Sequence, residues 1–302
     1  MRIMEAQATF ARLLIVDGHA YAYRAFHAIQ KLNAPDGAPT NAIYGFIKMF
    51  SKMETTLRPT HHCVVWDGGL SAERMEALPE YKSHRPPMPD DLDRQMPEIE
   101  SYLEAARVPS FVREGVEADD WIASLAATAS QGGTGVVIAS ADKDFLQLVS
   151  PQVGLLNPND KTDTIWQAAQ VRAKTGVEPE QVVDWLSLIG DAVDNIGGVP
   201  GVGPKTATDL LKQFGSIDQM YARLGEVKSE RIRASLLAAE SNVRRNQKLI
   251  RLQTDLPCES GLEELAVRDG DPDRLAPLYE RWGFKGLLAQ LEARHGAQKE
   301  LL

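Results

Sequence analysis

The stretch LLIVD, residues 13–17, is a short apolar run that ends on an aspartate. Two runs of the same kind follow it, CVVW at 63–66 and VVIA at 136–139. Short apolar runs without alternation are typical of strands that are buried on both faces of a parallel sheet. Helical patterns separate the runs, roughly at 40–56, 93–107 and 118–130. Strands that alternate with helices predict an α/β fold with a mostly parallel central sheet flanked by helices.

Each apolar run leads to acidic residues. Asp17 and Asp67 follow the first two runs, and Asp142 and Asp144 follow the third. In open parallel sheets, binding sites lie beyond the carboxyl ends of the strands. We therefore expect these carboxylates to share one site at one edge of the sheet.

From about residue 178 the pattern changes to helices and glycine turns, and no further strand is predicted. The helix candidates are 182–190, 204–214, 229–252 and 272–292. This change divides the chain into an α/β core, 1–178, and a helical region, 179–302. Within the core, the proline-rich segment 79–91 (PEYKSHRPPMPDD) is not expected to be a core element.

The net charge of −9 argues, taken alone, against a nucleic-acid partner, because phosphate binding depends on Lys and Arg. If many of the acids hold metal ions, however, the ions balance their charge, and the net charge of the chain does not describe its other surfaces. Segment 223–251 has eight Lys or Arg residues against three acids, a local net charge of +5. The distribution of charge therefore keeps a nucleic-acid partner open.

The two cysteines, Cys63 and Cys258, lie far apart in the sequence, so neither a disulfide framework nor a cysteine metal site is expected. No stretch approaches the length of a membrane span, and the apolar run at 13–16 is too short for a signal peptide. We therefore expect a cytoplasmic protein with no membrane association.

Two further groups of acids extend the set: Glu117, Asp119 and Asp120 at a predicted helix start, and Asp191 with Asp194 after the helix candidate 182–190. Taken singly, such acids are explained by helix capping or turn formation. Two unit negative charges 4 Å apart repel each other by about 4 kcal/mol at an effective dielectric constant of 20. A converging set therefore requires cations, and ligands that are all oxygen favour Mg²⁺ or Mn²⁺. Two such ions would support phosphodiester cleavage.

The motif Asp142-x-Asp144 also occurs in phosphotransferases that use a nucleophilic aspartate. Those enzymes place the motif directly after the first strand, where this chain has Asp17 followed by Gly-His-Ala. The sequence therefore favours the metal-dependent nuclease.

The sequence GVGPK, 201–205, separates two helix candidates. Pro204 suits the first turn of the second helix, and Gly201 and Gly203 allow backbone N–H groups to face outward. A helix N-terminus behind a glycine turn binds anions such as DNA phosphate, and it reads no bases. A plain turn between packed helices is the alternative. We predict a helix-hairpin-helix that binds duplex DNA without sequence preference.

Aromatic and basic side chains lie near the predicted acidic site in the sequence. They are Tyr23 and Arg24 after the first run, and Tyr81, Lys82 and Arg85 in the proline-rich segment. Arg and Lys beside metal ions can clamp a phosphate, and Tyr can stack on an unpaired base. Core packing of Tyr23 and a solvated loop at 81–85 remain the alternatives. The histidines, His19 among them, have no ligand spacing and are interpreted as structural or surface residues.

In combination, these motifs resemble the bacterial 5′ nuclease (flap endonuclease) family, specifically the N-terminal 5′→3′ exonuclease domain of DNA polymerase I. The motifs are LLIVDGHAYAYRAFHA, VVWD, PEYKSHRPPMPDDL, GVEADDWIA, ADKDFLQLV and LIGDAVDNIGGVPGVGPKTATDLL. The resemblance extends over about residues 12–292. It implies a PIN-like nuclease core with a helical arch around 79–105, followed by a helical region with a helix-hairpin-helix.

The resemblance also implies roles for individual residues. The metal-site positions are Asp17, Asp67, Glu117, Asp119, Asp120, Asp142, Asp144, Asp191 and Asp194. Positions that handle the scissile phosphate fall on Arg24, Lys82 and Arg85, and aromatic positions near the substrate fall on Tyr23 and Tyr81. The duplex-binding turn falls on Gly201, Gly203, Lys205 and Thr206, and in the family it also holds a K⁺ through backbone carbonyls.

The activity implied is structure-selective 5′→3′ exonuclease and 5′-flap endonuclease cleavage of DNA by a two-metal-ion mechanism. The expected partners are 5′ flaps, nicked or gapped duplexes and 5′ ends, together with a polymerase domain or a separate polymerase, and the protein is expected to be a monomer. Trp66 stands where the family usually has Phe, and Gly197 replaces a Pro. A non-catalytic DNA-junction-binding module would be free to lose carboxylates, and all nine are present. An RNA-cleaving nuclease would explain the acids but not the hairpin.

Overall fold

The computed structural model describes residues 12–160, 162–258 and 261–299. Residues 1–11 and 300–302, which the predicted division assigns to the core and to the helical region, lie outside the described residues. The strands of the central sheet are β1 (Leu13–Asp17), β2 (His61–Trp66), β3 (Ser110–Val112), β4 (Val136–Ala139), β5 (Val153–Leu156) and β6 (Ile165–Trp166). They lie in the order β3-β2-β1-β4-β5-β6, and all pair in parallel except β6. This confirms the predicted parallel sheet.

Helices cover both faces of the sheet and form the second half of the chain. In the first half they are α1 (Gly18–Ala28), α2 (Asn41–Leu57), α3 (Ala72–Ala77), α4 (Asp90–Asp93), α5 (Met96–Ala105), α6 (Ala118–Gln131) and α7 (Ala168–Thr175). In the second half they are α8 (Val182–Ile189), α9 (Pro204–Phe214), α10 (Ile217–Ala222), α11 (Glu230–Ile250), α12 (Pro272–Trp282) and α13 (Lys285–Lys299). Between α8 and α9, β7 (Gly190–Asp191) and β8 (Ile196–Gly197) form an antiparallel pair.

Alternate residues of the strands belong to different cores, which is why the apolar runs show no alternation. Leu13 and Ile15 pack with α6 and with the helices of the second half. Leu14 and Val16 pack with α1, α2, α5 and α12 on the other face. The sheet is therefore the middle layer of three.

The turn after β1 fixes the first aspartate. A Cβ atom at Gly18 would lie 2.4 Å from the Trp66 ring, so only glycine allows α1 to begin this close to β2. Asp17 is the N-cap of α1, and its carboxylate Oδ1 accepts a hydrogen bond from Ala20 N at 3.0 Å. Close packing of strand, glycine and helix thus holds the Asp17 carboxylate at the edge of the sheet.

The structure differs from the predicted elements in three places. The helical region does contain strands, β7 and β8, which at two residues each are too short to show a period. The candidate at 272–292 is two helices, because Gly283 adopts a left-handed φ of 74° between α12 and α13. The strands β3, β5 and β6 were not predicted, and β3 and β6 are short segments near the margins of the sheet.

The region expected to form an arch, around 79–105, consists of two different parts. Residues 79–84 are turns, whereas α5 packs on the core through buried side chains such as Ile99 and Leu103. The prediction that 79–91 stays out of the core is wrong for Tyr81 and Lys82, which are 4% and 6% exposed. Polar partners in the core explain this burial, as described below.

Among the helices that the structure describes, none combines the length and the apolar character needed to cross a bilayer.

Candidate active site

A cleft of about 430 Å³ opens at the carboxyl edge of the sheet. Its acidic lining residues are Asp17, Asp67, Asp119, Asp142, Asp191 and Asp194. The first strands deliver Asp17 and Asp67, whereas Asp142 follows β4 and caps the 3₁₀ turn Lys143–Leu148. Acids from widely separated parts of the chain therefore meet in one cleft, as the strand ends predicted.

Three carboxylates approach one another most closely. Asp144, Asp191 and Asp194 each offer an oxygen, and these oxygens all lie within 4.8 Å of one another. The short β7–β8 pair brings Asp191 and Asp194 together, and Asp191 Oδ1 accepts a hydrogen bond from Val193 N at 3.0 Å. Asp144 Oδ1 is buried without any hydrogen-bond partner among the described residues. An orphaned carboxylate oxygen beside two further carboxylates suits a divalent cation with oxygen ligands.

The cleft raises the pKa values of its acids. Burial, with smaller contributions from Asp142 and Asp67, raises the pKa of Asp17 from 3.8 to about 6, although Ala20 N and Ser140 Oγ donate to its carboxylate. Burial and the neighbouring carboxylates also raise the pKa values of Asp119 and Asp144 well above their ordinary range. These carboxylates are crowded without enough positive charge around them, which is the condition that a bound cation would relieve.

Glu117 and Asp120 are in a different environment. Asp120 is 3% exposed, and Arg74 donates to both of its oxygens, at 2.6 Å from Nη1 and 2.8 Å from Nη2. Glu117 is paired with Lys82 Nζ and lies 3.1 Å from Arg74 Nη1. Burial alone would raise the pKa of Glu117, but Lys82 and Arg74 lower it below its ordinary value. The structure does not bring Asp120 to the cleft as a metal ligand, because Arg74 occupies its carboxylate.

The basic and aromatic residues of 79–85 fold down onto these acids. Lys82 adopts a left-handed φ of 55°, and its Nζ contacts Glu117 and lies 3.9 Å from Asp119 Oδ2. Arg85 lines the cleft, with Nη2 2.6 Å from Asp194 Oδ1. The Tyr81 hydroxyl donates to Glu117 Oε2 at 3.1 Å. A buried Tyr81 has no face free for a base, so its predicted stacking role does not agree with this structure.

The side chains of Tyr23 and Arg24 lie in different places. Tyr23 is half-buried and lines the cleft. Arg24 is not among the lining residues, and its Nη1 donates to Asn159 Oδ1 at 2.5 Å instead. The structure therefore brings Tyr23, but not Arg24, to the carboxylates.

Sequence reasoning missed several residues of the site. His19 lines the cleft, where its Nδ1 accepts a hydrogen bond from Asp67 N at 3.2 Å, and burial lowers its pKa. Lys143 also lines the cleft, with Nζ 3.0 Å from Asp191 Oδ1. Ser140 is fully buried and donates to Asp17 Oδ2 at 2.7 Å. The position of Lys143 inside the DKD motif was a usable signal, whereas nothing local distinguished His19.

The hairpin at 201–206 lies at the surface. Gly201 has a left-handed φ of 81°, and Gly203 is the N-cap of α9 without any side-chain cap. Gly201, Gly203 and Lys205 are exposed, and Thr206 is half-buried. Arg231, near the start of α11, is exposed and lies close by, because a Cβ atom at Gly201 would be 3.9 Å from its Nη2. This surface combines free backbone N–H groups with two cations and is suited to an anion.

Only part of the basic segment 223–251 is free to bind. Arg244 is paired with Asp218 at 2.5 Å, and the Arg223 and Arg233 guanidinium groups lie 3.7 and 3.9 Å from glutamates one helical turn away. The exposed members without an ion pair among the described residues are Lys228, Arg231, Lys248 and Arg251. The remaining basic surface adjoins the hairpin through Arg231.

Comparison with known proteins finds two family models that match successive parts of the chain. Residues 12–176 match the family model of the 5′-3′ exonuclease N-terminal resolvase-like domain, and residues 177–273 match that of the 5′-3′ exonuclease C-terminal SAM fold. The 5′-3′ exonuclease of Aquifex aeolicus is 38% identical over 96% of this chain and 99% of its own length. DNA polymerase I of Bacillus caldotenax is also 38% identical over 96% of this chain, which spans 33% of that polymerase.

A solved structure shows the same fold. T5 5′-exonuclease with bound divalent metal ions (zinc) superposes with a TM-score of 0.67 at 26% identity, over 80% of this chain and 90% of that one. The two family models together account for the α/β core and for the helical region that carries the hairpin. This chain belongs to the 5′-3′ exonuclease family of nucleases.

Proposed function

We propose that the protein is a structure-selective 5′→3′ exonuclease and 5′-flap endonuclease that hydrolyses DNA phosphodiesters with two or more Mg²⁺ or Mn²⁺ ions and leaves 5′-phosphates. Its role is the removal of 5′ flaps and RNA primers during replication and repair. The observation that carries the proposal is the cluster of Asp144, Asp191 and Asp194, with its orphaned buried oxygen at Asp144. No protein donor among the described residues satisfies this Asp144 oxygen, and hard divalent cations suit such oxygens.

Residues of the cleft divide into those that would hold the ions and those that would not. The proposed ligands are Asp17, Asp67, Asp119, Asp142, Asp144, Asp191 and Asp194, with Glu117 as a neighbour that is tied to Lys82. When bound, the ions would activate a water molecule and stabilise the leaving oxygen. Asp120 is left out of the proposed ligand set, because Arg74 holds its carboxylate.

The cations of the cleft act on the scissile phosphate in this proposal. Arg85 and Lys143 each pair with one acid of the cluster at its rim, and both have side chains that are about 40% exposed. Such side chains can turn to a phosphodiester without losing their charge partners. Lys82 is buried beside Glu117 and supplies a fixed positive charge, and Tyr23 forms part of the wall against which the terminal nucleotide would lie. Arg24 would contact the strand outside the cleft.

The hairpin holds the uncleaved duplex in this proposal. Free N–H groups at the start of α9, with Gly201, Gly203, Lys205 and Thr206, would bind one phosphate without reading bases. A K⁺ held by backbone carbonyls of the same turn is part of the proposal. The chain then divides at residue 178 into a nuclease core and a DNA-binding region.

The cellular setting is also proposed. The chain spans about a third of the length of its DNA polymerase I relative and nearly all of the Aquifex exonuclease. We place it in the cytoplasm as a monomer that acts with a polymerase, either joined to it or separate.

A panel of 5′-labelled flap, nicked duplex and single-stranded DNA, each with Mg²⁺ and with EDTA, tests the proposal. We expect cleavage of the flap near its base, only with Mg²⁺, and no loss of flap binding in EDTA. Asp142→Asn is the inactive variant, and Asp273→Asn, which changes an exposed acid of α12, is its matched control. Binding of the flap without cleavage in any divalent ion would identify a junction-binding module instead.

A further inference from the structure

The last residues of α11 and the segment that follows it are bound to the nuclease core by side chains. Arg74 Nε donates to Leu249 O at 2.9 Å, and Nη2 lies 3.3 Å from Arg251 O. Gln147 donates to Ile250 O at 3.0 Å and accepts from Leu252 N at 3.1 Å. Arg74 therefore holds the backbone at residues 249 and 251, and Gln147 holds it at residues 250 and 252.

Two side chains of α6 make three further hydrogen bonds to the same segment. Asp120 Oδ1 accepts from Gln253 N at 2.9 Å. Ser124 Oγ donates to Gln253 O at 3.1 Å and accepts from Leu256 N at 3.2 Å. The last residues of α11 and the segment that follows it are thereby held at 249–253 and at 256.

Arg74 and Gln147 also contact residues of the acidic region. Arg74 Nη1 lies 2.6 Å from Asp120 Oδ2 and 3.1 Å from Glu117 Oε1. Gln147 Nε2 also donates to the Asp144 carbonyl at 2.8 Å. Asp144 belongs to the closest group of carboxylates. Arg74 and Gln147 therefore join the end of α11 to both sides of the acidic site.

The opposite end of α11 lies beside the hairpin. Atoms of Arg231 and Ile232 are 3.9 and 3.6 Å from where a Cβ atom of Gly201 would stand. With 21 residues, α11 spans about 30 Å. Near the C-terminal end of α11, Asn246 Nδ2 donates to Ser187 O at 3.1 Å and to Gly197 O at 2.8 Å, which ties the helix to α8 and to β8. One rigid helix thus reaches from the hairpin to the acids.

We infer that Arg74 and Gln147 are positioning residues that keep the end of α11 in register with the acidic cleft. On this inference, which rests on the proposed nuclease function, they set the distance between the duplex held at the hairpin and the phosphodiester that is cut. Asp120 serves the same purpose by orienting Arg74. Loss of either side chain lets the end of α11 move relative to Asp144 and Glu117 while leaving the hairpin surface intact.

The test uses Arg74→Lys and Gln147→Leu in the full chain. Lysine keeps the charge beside Asp120 and Glu117 but cannot donate to both Leu249 and Arg251. We expect each variant to lower kcat on a 5′ flap by about 10- to 100-fold, the range for residues that orient a metal site, with KM within about twofold. We also expect cuts at more than one phosphodiester. Arg274→Lys and Gln131→Leu, at exposed positions on α12 and α6, are the matched controls.

A second measurement does not depend on cleavage. Hydrogen exchange in EDTA should show the Leu252 amide exchanging faster in Gln147→Leu, since its acceptor is lost, with a smaller change at Gln253, which Asp120 holds. Cutting at the single wild-type position with wild-type kcat in both variants would overturn the inference, as would an unchanged Leu252 exchange rate. If the wild-type protein itself failed to cut flaps in Mg²⁺, the proposed function would fail, and the exchange result would still stand on its own.

Discussion

Two groups of acids only a few residues apart behave in opposite ways. Asp119 faces the cleft, and its pKa is raised by burial and by Asp142. Glu117 and Asp120 face Lys82 and Arg74, and burial is outweighed there, so that the pKa of Glu117 is lowered. The difference teaches that burial alone does not mark a metal ligand. The carboxylates expected to hold metal ions include those, such as Asp119 and Asp144, whose pKa values stay raised because nearby protein cations do not offset burial and mutual repulsion.

The largest test of this contrast removes one acid of the cleft and measures cleavage. Asp142→Asn should lower the rate of flap cleavage by about 10²- to 10³-fold, the size of effect found when one strong electrostatic stabiliser is lost. Flap binding in EDTA should persist. A single-turnover assay with Mg²⁺ measures the rate, and Asp273→Asn should cut like the wild type. An Asp142→Asn protein that cut at the wild-type rate would remove the metal assignment.

The second test measures the free energy of unfolding. Here Asp120→Asn should have the larger effect and Asp142→Asn the smaller one. Asp120→Asn leaves Glu117 as the charged partner of the buried Arg74, and breaking a buried ion pair costs about 3–5 kcal/mol. Asp142→Asn removes a crowded charge and should leave the free energy of unfolding in EDTA unchanged or higher. Urea unfolding in EDTA compares the two variants. Equal losses of stability in both would mean that the cleft acids are as well compensated as Asp120.

The contrast also shows how far the sequence predicts this site. Short apolar runs predict buried parallel strands, and strand ends meet at one edge, so the convergence of Asp17, Asp67 and Asp142 follows from local pattern. The identity of the side chain that pairs with a given acid does not follow from local pattern. Arg74 reaches Asp120 across 46 residues of sequence, and its other contacts are carbonyls at 249 and 251. No period or spacing encodes such a tertiary contact.

The same limit explains the aromatic and basic residues of 79–85. Their composition, next to several prolines, predicts a solvated loop, but the carboxylate of Glu117 draws both Tyr81 and Lys82 inward. The predicted strand content of the helical region failed for another reason. The β7–β8 pair has two residues a side and is defined by the register between Gly190 and Gly197, not by any apolar pattern.

The third test measures how stability depends on pH. The cleft acids and Glu117 should change the free energy of unfolding in opposite directions. Since the folded pKa of Asp17 is about 6 and its ordinary value is 3.8, the folded state binds more protons than the unfolded state between these values. Its contribution to the free energy of unfolding therefore falls as pH rises through that window, by up to about 3 kcal/mol. In EDTA, the wild type should be more stable at pH 5 than at pH 7.

Glu117 works in the other direction and outside this window. Its folded pKa lies below the ordinary value of 4.5, so its stabilising contribution is present above that value and is lost only at lower pH. Urea unfolding at pH 7 and pH 5 therefore excludes Glu117, whereas His19, whose pKa burial lowers, loses stability on acidification in the same window. Asp17→Asn should show a smaller gain on acidification than Asp273→Asn. An Asp17→Asn protein that gained as much stability on acidification as Asp273→Asn would contradict the raised pKa of Asp17.

The smallest expected effect concerns the basic residues, some of which are buried in ion pairs and some exposed. Arg74 and Lys82 are buried against carboxylates, whereas Lys205 and Arg231 are exposed beside the hairpin. Only the exposed pair can release counterions from a DNA phosphate. Lys205→Ala should weaken binding of duplex DNA in EDTA and reduce the slope of log affinity against log salt by about 1. Lys285→Ala, at an exposed position on α13, should leave the slope unchanged. Equal slopes for Lys205→Ala and the wild type would show that the duplex is held elsewhere, and the distance set by α11 would then have no DNA contact at its far end.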